Sequence, residues 1–319
     1  MYKESTLSVQ ISSIVQETEH VKRFTLEIAK GKQLPRFSGG SHISTYLETP
    51  KGLLVRQYSL TSHPDDCSHY EIAVRLSEAS KGGSRIWHQS MKVGDHLQIS
   101  YPKNHFPLSF KARHHVFYAA GIGITPFISM MQELRDKGQT FELHYASKSK
   151  QYCSFYEFIT QHYSEQSHFY FSEDNHRIPT LFLENHLVGT HVYFCGPETF
   201  IEHFVKAAQD LGYPKKSVHQ ERFSPPQLKR VKPFKVSLKS GNEIWVDEKQ
   251  SMLDALLQHG LNVPYSCKVG RCGTCELSVI AGNIDHFDFF LSEDQQNAQN
   301  CILPCVSRAK SDKLVMEIK

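Results

Sequence analysis

Hydrophobic and polar positions follow three successive patterns along the chain. From about residue 5 to 108, short alternating runs such as 21–28, 41–47 and 70–76 are separated by Gly, Pro, Ser and Asp. Alternation with period two over such lengths marks half-buried strands, so this segment predicts a β-barrel or sandwich. From about 113 to 223 apolar runs instead precede helix-like stretches: 115–120 before 126–136, 141–146 before 152–163, and 191–194 before 199–211. Strands alternating with helices predict a parallel sheet covered by those helices. Residues 224–233 hold three prolines and three cations without apolar periodicity and read as an extended linker. Residues 234–319 return to short strands and form a small third unit.

Composition narrows the class. With 319 residues and 39% hydrophobic content, the chain has enough apolar material for two or three cores. A net charge of +3, without a basic stripe interleaved with aromatics, leaves small molecules and proteins rather than nucleic acid as the expected partners. The first ten residues lack the apolar core of a secretory signal. The longest apolar stretch, 116–131, is short for a bilayer span and is interrupted by Gly121, Gly123 and Pro126. The expectation is a cytoplasmic protein with no membrane contact. Eight cysteines, five of them crowded between 267 and 305, then point to metal binding rather than disulfides.

Cys267-Lys-Val-Gly-Arg-Cys272-Gly-Thr-Cys275 has the C-x4-C-x2-C spacing of plant-type [2Fe–2S] proteins, with further cysteines downstream. Gly270 and Gly273 permit positive φ and let backbone N–H groups turn toward sulfur. Zinc sites usually pair two short knuckles, whereas here one triplet faces a distant single residue. Cys301 and Cys305 both lie where a fourth ligand is needed. Four residues apart on a strand they would share a face, so periodicity does not choose between them.

Two further regions suit nucleotides. Arg56-Gln-Tyr58-Ser59-Leu60-Thr61 ends a strand and offers a charge, a ring and a hydroxyl. Lys81-Gly82-Gly83-Ser84-Arg85 then leads into an expected helix start at Ile86. A glycine pair before a helix, flanked by cations and a hydroxyl, suits a phosphate. The run His115-Val-Phe-Tyr-Ala-Ala120-Gly121-Ile-Gly123-Ile-Thr125-Pro126 is a strand, a glycine turn and a helix begun by proline. Its position suits a pyrophosphate, but Gly121-x-Gly123 falls short of the dinucleotide fingerprint, and close strand-to-helix packing explains it equally. Val192-Tyr-Phe-Cys195-Gly196-Pro197-Glu198 repeats the arrangement. Ligands of open parallel sheets bind outside the carboxyl ends of strands, which places Cys195 near a nicotinamide, although a lone cysteine there also reads as a small buried residue.

Taken together, these motifs resemble the phthalate dioxygenase reductase family, flavin reductases with a fused C-terminal ferredoxin that feed Rieske-type oxygenases. Arg56-Gln-Tyr58-Ser59-Leu60, Gly82-Gly83-Ser84, the Gly121 turn, Cys195-Gly196-Pro197, Glu221-Arg-Phe223, the cysteine triplet and Cys305-Val-Ser-Arg-Ala carry the resemblance, which spans essentially the whole chain. It implies a multidomain protein: an FMN-binding β-barrel domain over 1–110, an NAD(H)-binding α/β parallel-sheet domain over 111–223, the linker 224–233, and an α+β plant-type ferredoxin domain over 234–319. It further implies that Arg56, Tyr58 and Ser59 contact FMN, that the backbone around Ala73 lines its ring, and that Lys81, Gly82, Gly83 and Ser84 hold its phosphate. Gly121, Gly123, Thr125, Cys195 and Gly196 would lie near the nicotinamide, and Phe223 would border its meeting with the flavin, so Ser59, Thr125, Cys195 and Phe223 would flank the chemistry. Cys305 would complete the metal set of Cys267, Cys272 and Cys275.

The implied activity is NADH-dependent: a hydride passes to FMN N5, and single electrons then pass to the [2Fe–2S] cluster and on to a Rieske-type oxygenase component. The sequence departs from the family at Ala120, where a glycine is common. Ser147-Lys148-Ser149-Lys150, where the adenosine ribose should bind, has cations suited to a 2′-phosphate, which keeps NADPH as the alternative to NADH. Within the family the chain leans toward the reductases of carnitine monooxygenases and of vanillate O-demethylases. The rival expectations are a cytochrome P450 as acceptor, or a non-enzymatic iron–sulfur carrier.

Overall fold

The computed structural model describes residues 5–50, 52–77, 82–226 and 231–318. The chain divides into two compact units, Glu4–Arg222 and Phe223–Lys319. The first unit opens with strands β1 (Thr6–Thr18), β2 (Val21–Ile28), β3 (His42–Thr49), β4 (Gly52–Ser59) and β5 (His69–Arg75), a short helix α1 (Gly83–Gln89), and β6 (His96–Ser100). These six strands pair in the order β4-β3-β6-β1-β2-β5. An isolated bridge between Leu60 and Ile72 joins the two outer edges, so the sheet closes into a barrel and not a sandwich. Alternate residues of the strands, among them Val9, Ile11, Phe24, Leu26, Ile43, Leu47, Ile72, Val74 and Ile99, fill its interior with Trp87 of α1.

The same unit continues through β7 (His114–Ala120), α2 (Thr125–Asp136), β8 (Phe141–Ser147), α3 (Tyr156–Tyr163), β9 (Ser167–Phe171), β10 (Thr190–Cys195), α4 (Glu198–Asp210) and β11 (Val218–Glu221). All four pairings in this sheet are parallel, in the order β11-β10-β7-β8-β9. The chain starts at the central strand β7, builds β8 and β9 on one side, then returns to build β10 and β11 on the other. The order therefore reverses between β7 and β10, and the crevice at the carboxyl ends of such a pair is where open α/β sheets take ligands. Helix α2 is buried along nearly its whole length. Phe127, Ile128 and Met131 share one core with Phe117 and Leu143 of the parallel sheet and with Val21, Ala73 and Phe106 from the barrel side.

The expected helix over 152–163 is shorter than its pattern suggests. A 3-10 turn occupies Lys150–Tyr152 and α3 begins at Tyr156, because Phe155 takes a left-handed conformation with φ 61° at the helix start. Helix α1 in turn begins three residues before Ile86, at Gly83, with Gly82 at φ 108° as its entry residue.

The second unit holds β12 (Phe234–Leu238), β13 (Glu243–Val246), α5 (Met252–Gln258), β14 (Leu277–Ala281), β15 (Ile284–Asp285), α6 (Glu293–Ala298), β16 (Cys301–Ile302), β17 (Arg308–Ala309) and β18 (Lys313–Met316). Its main sheet runs β13-β12-β18-β14-β16, with β12 and β18 parallel and the other pairs antiparallel. Ser251 caps α5 by accepting from the Asp254 N–H, and Ser292 with Gln295 forms a reciprocal capping box on α6. Arg308, from the Cys305-Val-Ser-Arg motif, donates to the carbonyls of Gln250 (2.6 Å), Asp247 (2.8 Å) and Lys232 (3.2 Å), fastening the end of the linker to this unit.

Candidate functional site

The cysteine triplet lies on an irregular loop between α5 and β14, shaped by three left-handed residues: Lys268 (φ 57°), Gly270 (φ 77°) and Gly273 (φ 70°). A side chain at either glycine has no room. A Cβ on Gly270 would lie 2.6 Å from Val306, and one on Gly273 2.4 Å from the Phe290 ring. The turn aims N–H groups at sulfur: those of Val269 (3.5 Å) and Arg271 (3.4 Å) both donate to Cys267 Sγ. The four thiols meet as two pairs. Cys267 meets Cys272, and the pairing holds the Cys272 thiol below the ordinary range while Cys267 is pushed up. Cys275 and Cys305 form the second pair, which lowers Cys275 and raises Cys305. Cys301 has no cysteine partner. Burial raises its thiol, helped by the charges of Glu276 and Asp288. Strand β16 ends at Ile302, so Cys301 and Cys305 do not share a strand, and geometry separates two residues that periodicity left equal.

This arrangement fits a two-iron cluster and not a single ion. Tetrahedral zinc–thiolate bonds of ~2.3 Å place all sulfurs within about 4 Å of one another. Among the described residues no three cysteine sulfurs lie within 4.8 Å of each other; the one trio of His, Cys, Asp or Glu ligand atoms that does is His63, Asp65 and Asp136 in the other unit.

In the barrel, antiparallel pairing of β3 with β4 sets Thr45 opposite Arg56, Ile43 opposite Tyr58 and His42 opposite Ser59. The Arg56 side chain lies against Gly83, the first residue of α1, and a Cβ there would lie 2.8 Å from its Cγ. Tyr58 stands edge-on to Trp87 at 5.8 Å, and burial pushes its phenol up. Ser59 and Ala73 are buried, and the Ser84 hydroxyl accepts from the Ser77 N–H at 3.2 Å. Arg56, Gly82, Gly83 and Ser84 thus gather at one end of the barrel, where a cation and a cradle without side chains suit a phosphate. Lys81 lies outside the described residues. Thr61, two residues after Ser59, closes the same motif and was given no role by its sequence. Its buried hydroxyl has no hydrogen-bond partner, while its carbonyl accepts from Gln132 Nε2 of α2 at 3.1 Å.

The turns after β7 and β10 interlock at the switch point. A Cβ on Gly123 would lie 2.2 Å from the Cys195 carbonyl oxygen, and one on Gly196 2.9 Å from Ala120 Cβ. Gly121, at φ 54°, faces open space, and Tyr145 holds its carbonyl from below at 3.0 Å. Gly123 therefore serves packing, while Gly121 leaves its side free for a ligand. Thr125 is buried with its hydroxyl returned to the Ile122 carbonyl at 3.0 Å, and Cys195 is fully buried. Beyond β8, Lys148 pairs with Glu173 at 3.3 Å and Lys150 with Glu157 at 3.8 Å, so both cations proposed for a 2′-phosphate already face carboxylates. Phe223 is exposed at the start of the second unit.

Family models match the chain in three stretches: the oxidoreductase FAD-binding domain over 8–107, the dimethylamine monooxygenase subunit DmmA-like N-terminal domain over 100–218, and the 2Fe-2S iron-sulfur cluster binding domain over 237–310. The carnitine monooxygenase reductase subunit of Escherichia coli is 40% identical over 313 residues, covering 97% of this chain and 98% of its own. The vanillate O-demethylase oxidoreductase of Acinetobacter baylyi is 38% identical, covering 98% and 99%. The crystal structure of phthalate dioxygenase reductase, described as a modular structure for electron transfer from pyridine nucleotides to [2Fe–2S], superposes with a TM-score of 0.77 at 29% identity, covering 98% of both chains. With a barrel, a parallel nucleotide sheet and a cysteine loop in the family's order, this chain belongs to the phthalate dioxygenase reductase family and is an iron–sulfur flavoprotein oxidoreductase.

Proposed function

We propose that this chain is the reductase component of a two-component Rieske-type oxygenase, passing electrons from NADH through FMN to a [2Fe–2S] cluster and on to an oxygenase of the carnitine or vanillate kind. The observation that carries the reading is the meeting of Cys267 with Cys272 and of Cys275 with Cys305, two thiol pairs suited to two irons. When bound, FMN supplies the conversion between two-electron and one-electron chemistry. The work left to the protein is positioning. Arg56 and the Gly82–Ser84 cradle take the flavin phosphate, Tyr58 and Ser59 meet its ring, and the backbone at Ala73 lines it. The Gly121 turn and the Cys195-Gly196-Pro197 turn receive the pyrophosphate and nicotinamide, with Thr125 buttressing the first turn from within. Ser147 and Lys148 border the adenosine ribose.

The domain limits 1–110, 111–223, 224–233 and 234–319 belong to the same proposal, supported by the sheets and by the matched stretches. A cytoplasmic setting belongs to the same proposal: the cysteines outside the proposed cluster, Cys67, Cys153, Cys195 and Cys301, are free, whereas exported proteins tend to oxidise theirs. No helix among the described residues is long and apolar enough to cross a membrane.

An absorption spectrum of the purified protein tests the proposal. Flavin bands with a broad long-wavelength shoulder, both bleaching on anaerobic addition of NADH, are expected. A colourless, zinc-containing preparation overturns it.

A further inference from the structure

Beside the cysteine loop lies a buried ionisable pair that electron transfer as described does not use. The Asp288 side chain is fully buried and that of its neighbour His286 is 6% exposed. The Asp288 carboxylate accepts from three donors. Oδ2 accepts from the N–H groups of Leu291 (2.9 Å) and Phe290 (3.3 Å), and Oδ1 accepts from Ser307 Oγ (3.1 Å) and faces His286 Nδ1 (3.3 Å). His286 Nε2 is buried without a hydrogen-bond partner. Among the described residues, His286 is the sole ion-pair partner of Asp288.

The carboxylate joins the two halves of the cysteine site. Its Cα would touch a Cβ on Gly270 at 3.1 Å, and the next residue, Phe289, donates its N–H to the Gly270 carbonyl at 2.9 Å. Phe290 lays its ring on Gly273 within the triplet. Ser307, which donates to the carboxylate, stands two residues after Cys305. One buried negative charge is thus pinned between the triplet loop and the Cys305 turn.

We propose that Asp288 is a positioning and potential-setting residue for the cluster. It ties the triplet loop to the Cys305 turn, and its fixed charge disfavours the arrival of an electron nearby. The interaction is strengthened by the burial of the Asp288 side chain: a charge in a low-dielectric interior acts over distances at which water would screen it. Cluster potentials respond to net charge and to hydrogen bonding around the sulfurs. The inference rests on the proposal that Cys267, Cys272, Cys275 and Cys305 hold the cluster.

Asp288→Asn keeps the shape and removes the charge. Its amide oxygen still accepts from the two N–H groups, and its NH2 donates to Ser307 Oγ and His286 Nδ1, both of which are able to accept. Ser307→Ala keeps the charge and removes one donor that offsets it. The test is a redox titration of the full-length holoprotein, followed by the electron paramagnetic resonance signal of the reduced cluster. The midpoint is expected to rise in Asp288→Asn and to fall in Ser307→Ala, while the flavin midpoint stays in place. A loaded Asp288→Asn with an unchanged or lower cluster midpoint overturns the proposal. If Asp288→Asn does not retain the cluster, an unchanged or higher midpoint in Ser307→Ala overturns it instead. Failure of the underlying ligand proposal looks different, because Cys305→Ser then keeps its [2Fe–2S] signal, or the wild-type protein gives none.

Discussion

Gly123 approaches the backbone of Cys195 so closely that a Cβ on it would stand 2.2 Å from the carbonyl oxygen and 2.7 Å from the Gly196 nitrogen. Parallel pairing aligns Cys195 with Ala119, so the turns leaving β7 and β10 start side by side. Contact through bare backbone keeps them together at the point where the sheet order reverses. Gly123→Ala therefore pushes the two turns apart, at an overpacking cost of about 1–3 kcal/mol. The expected result is NADH oxidation slowed by about tenfold or more, with flavin and iron content retained. Steady-state kinetics beside cofactor analysis checks this, and unchanged kinetics would count against the switch-point crevice as the nicotinamide site.

The lysines after β8 bear on cofactor choice. Lys148 faces Glu173 and Lys150 faces Glu157, so a 2′-phosphate entering there meets carboxylates as well as cations. Exposed pairs of this kind are weak in themselves, and their effect lies in the repulsion of an added dianion. NADH is expected to exceed NADPH in kcat/KM by about tenfold or more, the equivalent of ~1.4 kcal/mol. Glu173→Gln is expected to narrow that ratio by improving NADPH and leaving NADH nearly untouched. Parallel kinetics with the two nucleotides reads the outcome directly.

A cluster of histidines at the opposite end of the parallel sheet predicts acid sensitivity. His115 and His219 are both pushed down to about 4, chiefly by burial and further by neighbouring histidines. His219 lies face to face with Tyr193 at 4.3 Å and hydrogen-bonds His191 at 2.9 Å. Their folded-state pKa values lie below the unfolded value of 6.5, so protons bind the unfolded chain first as pH falls. Their cost is absent above about pH 6.5 and grows down to about pH 4. The melting temperature should hold between pH 7 and 8, then fall steeply between pH 6.5 and 4.5, and His115→Phe should reduce that slope. A pH series of thermal melts decides the point.

Local pattern revealed the architecture better than the site. Alternating runs disclosed the barrel strands, and the strand–helix alternation disclosed the parallel sheet, because burial on one face or on two imposes those periods directly. The cysteine triplet was equally legible, since its spacing and its glycines are one local device. Relationships across the chain were not. The partner of Cys275 depends on where β16 stops, and the partners of Lys148 and Lys150 depend on how β8, β9 and α3 are brought together. The late start of α3 has a cause about 140 residues away in the barrel: the N–H of the left-handed Phe155 is received by Glu17, whose carboxylate also binds Arg23 at 2.8 Å. Thr61 stood in the flavin-side motif without a role of its own, because an ordinary threonine becomes distinctive only once folding buries its hydroxyl.

In the proposed electron path the cluster is held by four cysteines, and the choice between Cys305 and Cys301 is its sharpest point. Cys305 meets Cys275, whereas Cys301 senses the carboxylates of Glu276 and Asp288. The most direct measurement is iron and acid-labile sulfide content, together with the resonance signal after anaerobic NADH reduction, in Cys301→Ser and Cys305→Ser. Cys301→Ser is predicted to retain two irons and a full NADH-reducible signal, and Cys305→Ser to lose or destabilise the cluster. A Cys305→Ser protein with an intact, reducible cluster, alongside a Cys301→Ser protein without one, would contradict the account.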